Sequence, residues 1–402
     1  MVHYLSELLQ SAERILLLQG PIGTFFREFS HWLTRRQKTV FKLNFNGGDE
    51  FFYPQTLANT VAYRDDLAHF PAFLTQFCQQ HHIQAIVCFG DNRSYHKIAK
   101  QLAEQQGMSF WVFEEGYFRP DYITFEKWGV NDYSPLPRDA EFYKTLKNNT
   151  ALSEPPIPQK VAMGFCPLAK IATKYYCAAN WRKSKYPNYA HHRILSLGYY
   201  IKLWVVSGIK RLGYWFQDSR FARKVEQGKF GEFFIVPLQV YDDTQVRVHS
   251  DFASVGAFLA KVLESFARFA PAHCNLIVKH HPMDRGFIDY SDVIAACIRR
   301  YPALKGRVFY IHDVPMPVFL RHGKGIVTLN STSGISALLH GMPTITLGRA
   351  NYDIKGLTYQ GNLNDFWCNP TAPDPDLFRA YRLFHLNKTH INGNFYNRVI
   401  LP

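Results

Sequence analysis

The chain has 402 residues, too many for one ordinary hydrophobic core and suited to two domains. Its 46 Lys and Arg outnumber 32 Asp and Glu for a net charge of +14, which favours anionic partners such as phosphorylated substrates, acidic lipid headgroups or nucleic acid. No apolar run reaches the ~20 residues that cross a bilayer. The N-terminus lacks the basic start and long apolar core of a secretory signal. The 7 cysteines are scattered without a CxxC pair, which predicts buried free thiols rather than a zinc site.

In chain order, residues 14–19 predict a buried strand, 25–33 a helix and 40–45 a second strand, together a βαβ unit. Gly20-Pro21-Ile22-Gly23 is the turn between the first two elements. With Gly47-Gly48 it resembles a dinucleotide loop only weakly, because the third glycine and a following acid are missing. A tight turn that lets another ligand approach the backbone is the expectation. The alternation continues with a helix over 65–77, a strand over 83–89, a helix over 95–106 and a strand over 109–113. That strand runs into Glu114-Glu115-Gly116, with Arg119 shortly after. Adjacent carboxylates at a strand end project to opposite faces. Their proximity raises one pKa, and Arg119 would lower it. A solvated acidic turn is the plainer reading, but the pair sits among aromatic residues.

Residues 134–159 are Pro-rich and read as a linker or a surface excursion. Residues 160–230 interleave Lys and Arg with Tyr, Trp, Leu and Ile in two helical patterns. They suit an interfacial membrane helix or a helical hairpin packed between domains. A platform for single-stranded nucleic acid uses similar residues, but no recognition motif accompanies them, so no nucleic-acid partner is expected. A second βα run begins with strand 233–239 and a helix over 250–269 capped by Ser250 or Asp251. Strands over 274–279, 307–311, 325–329 and 344–347 then alternate with helices over 289–300, 315–322 and 334–340, and a last helix covers 373–390. Two polar clusters follow strand ends, where open parallel sheets bind ligands. One is Lys279-His280-His281-Pro282 with Arg285; the other is Asn330-Ser331-Thr332-Ser333-Gly334. Small polar residues at a helix start offer N–H groups, hydroxyls and a positive dipole end to a phosphate. A plain helix cap would use one of them.

Residues 16–26, 42–49, 113–124, 236–240, 279–282 and 330–334 resemble the KpsS-type capsular polysaccharide biosynthesis proteins, and the Glu-Glu-Gly and Asn-Gly-Gly-Asp runs are the most specific pieces. The resemblance implies a GT-B-like α/β fold, two Rossmann-like doubly wound domains facing a cleft with a basic aromatic helical insert. The expected division is 1–159 (acceptor side), 160–230 (insert), 231–370 (CMP-sugar binding) and 371–402 (helix and tail). It implies a retaining transferase that moves Kdo from CMP-β-Kdo to lysophosphatidylglycerol, without metal or cofactor. The setting would be the cytoplasmic face of the Gram-negative inner membrane, beside a KpsC-type Kdo transferase. Glu115, or else Glu114, would attack the sugar or act as base. His281 would contact the CMP phosphate or protonate it on departure. Ser331, Thr332 and Ser333, with His280, Pro282, Asn330 and Gly334, would hold the donor; Lys279 and Arg285 would meet its charges. Gly20, Gly23, Asn46, Asp49 and Arg119 would line the cleft. The insert would dock on an anionic membrane through residues such as Arg182, Lys183, Lys210 and Arg211. Another GT-B nucleotide-sugar transferase or epimerase stays open, with Asp353 the one clear carboxylate for a ribose. So does a non-enzymatic basic scaffold of capsule assembly.

Overall fold

The computed structural model describes residues 2–146, 153–189 and 197–402, so the parts of the Pro-rich stretch and of the basic insert at 147–152 and 190–196 lie outside the described residues. The strands in chain order are β1 (Arg14–Leu17), β2 (Thr39–Asn44), β3 (Thr60–Ala62), β4 (Ala85–Phe89), β5 (Ser109–Glu115), β6 (Tyr122–Lys127), β7 (Phe233–Pro237), β8 (Asn275–Lys279), β9 (Val308–Ile311), β10 (Gly325–Thr328), β11 (Thr344–Thr346) and β12 (His390–Asn392). The chain forms two compact units. The first comprises Met1–Pro135, Thr150–Leu197 and Arg382–Pro402; the second comprises Leu136–Asn149 and Gly198–Tyr381. The stretch expected as one insert, 160–230, is therefore divided between the units. The chain passes back to the first unit inside helix Pro375–Lys388.

The sheet of the first unit runs β12-β6-β5-β4-β1-β2-β3. From β5 to β3 the neighbours are parallel. β6 returns antiparallel to β5, and β12 is antiparallel to β6. The β5–β6 hairpin replaces the loop expected after residue 113. Gly116 permits it, because a Cβ there would lie 2.0 Å from the carbonyl oxygen of Tyr122. Pro-rich residues 134–159 also hold a helix, Ala140–Leu146.

The sheet of the second unit, β11-β10-β7-β8-β9, is parallel throughout. Its inner strands β10, β7 and β8 are buried on both faces nearly throughout, while the edge strand β9 is only half-buried. Phe234, Val236, Leu276 and Val278 pack into one core with helix Val255–Phe269. The alternate residues Phe233, Ile235 and Ile277 pack into another with Phe319 and Val225. Ser254 caps helix Val255–Phe269 by accepting the N–H of Ala257, in place of the expected Ser250 or Asp251. Among the described residues six cysteines are free; Cys177 and Cys368 are exposed and Cys297 half-buried, rather than all buried as expected.

Candidate functional site

In the first unit the chain steps outward from β1 to β2 and later crosses to β4 on the other side of β1. Such a reversal opens a crevice at the carboxyl ends of the two strands. The Gly20–Gly23 turn leaves β1 at this point. Gly23 has a φ of 121°, which only glycine adopts without strain, and a Cβ on Gly20 would meet the Phe26 ring at 2.7 Å. Here lies a shallow open recess lined by Gly20, Gly23, Arg27, Lys42, Asp49 and Tyr175 among others.

Asp49 is the best-held group in that recess. Its carboxylate accepts the Phe45 N–H at 3.1 Å, the Tyr175 hydroxyl at 3.0 Å, Gln19 Nε2 at 3.2 Å and Asn46 Nδ2 at 3.3 Å. Asn46, expected in the cleft, does not line the recess. Its Oδ1 caps helix Gly47–Phe52 by accepting the N–H groups of Gly48 at 2.8 Å and Asp49 at 3.0 Å. Gly47 and Gly48 admit helix Phe165–Trp181. A Cβ on Gly48 would lie 2.6 Å from the Tyr175 ring, and one on Gly47 2.5 Å from the Ala178 carbonyl. The Asn-Gly-Gly-Asp run is thus a cap, a helix contact and a wall of the recess. Lys42, which the sequence reading passed over, is buried with its amine on the Leu43 carbonyl. Burial lowers its pKa to about 8 against the pull of Asp49. Its mark in the sequence is a lysine inside an apolar strand.

Glu114 and Glu115 close β5, two strands from the recess turn. Neither lines the recess. Glu114 Oε1 accepts the Glu115 N–H at 2.9 Å. Burial pushes its pKa up to about 8; Glu115 and Asp91 add to the rise, while the Glu115 N–H and Arg119 oppose it. Glu114 therefore carries a proton at neutral pH. Glu115 accepts a hydrogen bond from Tyr396, whose hydroxyl is held protonated by burial and by this carboxylate. Tyr396 arrives from the C-terminal stretch, which no local pattern links to β5. Arg119 is exposed, and its Nε donates to the Gly116 carbonyl at 3.3 Å.

In the second unit the reversal falls between β7 and β10. Gln239, just past β7, donates to Asn330 Oδ1 at 3.0 Å across that crevice, and Asn330 Nδ2 donates to the His249 carbonyl at 3.2 Å. Ser331 caps helix Thr332–Leu339, its Oγ accepting the Ser333 N–H at 3.2 Å. The Gly334 N–H is taken by the Ser331 carbonyl at 2.9 Å. Two of the N–H groups expected to face a phosphate are thus engaged within the turn. Gly334 is occupied from behind: a Cβ would lie 2.3 Å from the Tyr352 hydroxyl, which donates to the Ser331 carbonyl at 2.6 Å. Ser331, Thr332 and Ser333 keep partial exposure.

The histidine loop after β8 is sorted by burial. Lys279 is buried, its amine donating to the carbonyls of His312 at 2.8 Å and His280 at 3.3 Å, and burial lowers its pKa to about 8. His280 is buried against the Tyr310 hydroxyl at 2.6 Å, with its pKa lowered to about 4 by burial. Arg285 is buried and pairs with Asp313 at 2.7 Å. These three hold strand ends and loops together rather than standing open to a ligand. His281 is half-exposed, and its Nδ1 accepts the Met283 N–H at 3.2 Å, capping the turn that Pro282 begins. A neutral imidazole fixed in this way carries its proton on Nε2, as a donor. His312 was not anticipated, although it follows a strand end like the other polar clusters. Its ring stacks on Tyr214 with centroids 3.7 Å apart. Its Nε2 and that of His280 are buried without hydrogen-bond partners. Asp353 accepts from Thr358 at 2.5 Å and Gln360 at 3.2 Å within its own loop.

Two doubly wound units with polar loops at their strand reversals define a GT-B-like α/β protein. Residues 84–396 match the family of capsule polysaccharide biosynthesis proteins. The chain is 57% identical to the capsule polysaccharide modification protein LipB of Neisseria meningitidis serogroup B, over 99% of this chain and 95% of that protein. It is 39% identical to the capsule polysaccharide export protein KpsS of Escherichia coli, over 96% of this chain and 98% of that one. The chain belongs to this capsule polysaccharide biosynthesis family. Among solved structures, the β-Kdo 2,7 transferase of Thermosulfurimonas dismutans KpsC is similar at a TM-score of 0.41 and 12% identity, covering 90% of this chain and 88% of that one.

Proposed function

We propose that the protein is a retaining transferase that moves Kdo from CMP-β-Kdo to lysophosphatidylglycerol, starting the lipid linker that a KpsC-type transferase extends. The observation that carries this reading is the divided acid pair. Glu114 is held protonated by burial, which leaves the carboxylate role to Glu115, oriented by Tyr396. In a double displacement, a bond forms between the Glu115 carboxylate and the anomeric carbon as the bond to the CMP phosphate breaks. The acceptor oxygen then bonds to the anomeric carbon as the bond to Glu115 breaks, its proton passing to the released CMP phosphate, and the starting configuration is restored. The Nε2–H of His281 and the half-exposed Ser331–Ser333 turn suit a departing phosphate, so the reading needs no metal. The sequence kinship to capsule modification and export proteins supports the pathway.

Nucleotide binding tests the donor assignment. A ligand at 100 times its Kd stabilises the native state by about 2.7 kcal/mol. CMP should raise the melting temperature by several degrees, UDP should not, and His281→Ala should remove most of the CMP effect. Stabilisation by UDP alone would favour a UDP-sugar enzyme. No response to either would favour a scaffold.

A further inference from the structure

Helix Leu197–Glu226 carries a surface that the transferase reading does not use. Val205, Ile209, Leu212 and Trp215 are large apolar side chains, each exposed by 57% to 68%. Spacings of four, three and three residues put them along one side of the helix. The opposite side is fixed to the second unit: Tyr214 stacks on His312, and buried Asp218 accepts the N–H groups of His312 at 2.9 Å and Asp313 at 2.6 Å. Exposed Arg220, Arg223 and Lys224 flank the stripe or extend it, and no exposed acid occurs between residues 205 and 224. Lys210 and Arg211 turn toward the packed side, where Arg211 lies 3.4 Å from Asp313. Among the described residues no helix is long and apolar enough to cross a membrane.

We propose that this face lies in the interface of an anionic bilayer, with the apolar stripe in the acyl boundary and the cations against the headgroups. An apolar stripe bordered by Lys and Arg is the pattern of an in-plane interfacial helix. Charge selects this occupant over a second copy of the chain, because an isologous pairing would oppose the same cations on both copies. Arg182 and Lys185 do not join this surface; each lies 3.7 Å from Glu50 in the first unit.

The test is co-sedimentation of the full chain with vesicles of phosphatidylcholine, alone or mixed with phosphatidylglycerol. No sugar donor is present, so the outcome is independent of the transferase reading. The wild type should bind the mixed vesicles and bind neutral ones far less. Ile209→Ser with Leu212→Ser should weaken binding by about tenfold or more, since each apolar side chain kept in water forfeits its transfer energy. Arg220→Gln with Arg223→Gln and Lys224→Gln should weaken it by about tenfold or more as well. All five positions are exposed, so circular dichroism and melting temperature should stay unchanged. Equal binding to neutral vesicles, or binding that ignores the Ile209 and Leu212 changes, would overturn the proposal. So would a dimer that those changes dissolve in a protein indifferent to vesicles.

Discussion

Glu114 and Glu115 are neighbours in the chain with different surroundings, and that difference can be measured. Glu114 has a folded pKa of about 8, above its unfolded value, so between about pH 4.5 and 8 the folded state holds a proton that the unfolded state has lost. Its contribution to stability is complete below that window and is lost as pH rises through it. Glu114→Gln removes the titration. The stability of the variant relative to wild type should therefore improve from pH 5 to pH 8, by on the order of a few kcal/mol. Urea unfolding of both proteins at the two pH values measures this, and a constant difference would show that Glu114 is not held protonated. Much of this site was legible in the sequence. Glu114 and Glu115 close a strand, and Asp49 and His281 follow strand ends, where function is expected. Lys279 and Arg285 read in the sequence as open charges, because charge alone suggests exposure. Only the fold shows two carbonyls around the Lys279 amine and Asp313 beside Arg285. Tyr396 was invisible because its partnership with Glu115 spans most of the chain.

At the scale of elements, the small residues of the loops answer to what packs behind them. Gly334 was expected to help hold the donor phosphate, yet the space a side chain would fill belongs to the buried Tyr352. Gly334→Ala should force that hydroxyl off the Ser331 carbonyl and cost about 1–3 kcal/mol. Denaturant midpoints measure the loss. A variant as stable as wild type would show that Tyr352 yields freely and that the glycine serves another purpose. The same blindness to packing explains the elements that were missed. Helix Gly47–Phe52 opens with two glycines, which read as a break until helix Phe165–Trp181 is seen against them. β6 hid in aromatic and proline text that resembles a loop. The βα alternation itself was plain, because parallel strands covered on both faces are continuous apolar runs.

At the scale of the molecule, the sequence suggested consecutive domains, whereas the first unit is assembled from three separated stretches that include the last residues of the chain. Strand pairing such as β12 with β6 joins residues more than 260 positions apart, and composition carries no trace of it. The positive charge, +14 overall, is legible from the start. Its concentration beside the exposed stripe of helix Leu197–Glu226 is not, because a stripe exists only once the buried side of the helix is known. The central claim joins the acid pair to a nucleotide-activated sugar and a phospholipid acceptor. Mass spectrometry of lysophosphatidylglycerol incubated with the full chain and CMP-β-Kdo, the donor generated in situ, tests it directly. The account predicts a lipid heavier by one Kdo, formed in the presence of a chelator, with the rate reduced by a factor on the order of 10³ or more in Glu115→Ala. An unmodified lipid, or product formed equally well by Glu115→Ala, would contradict it.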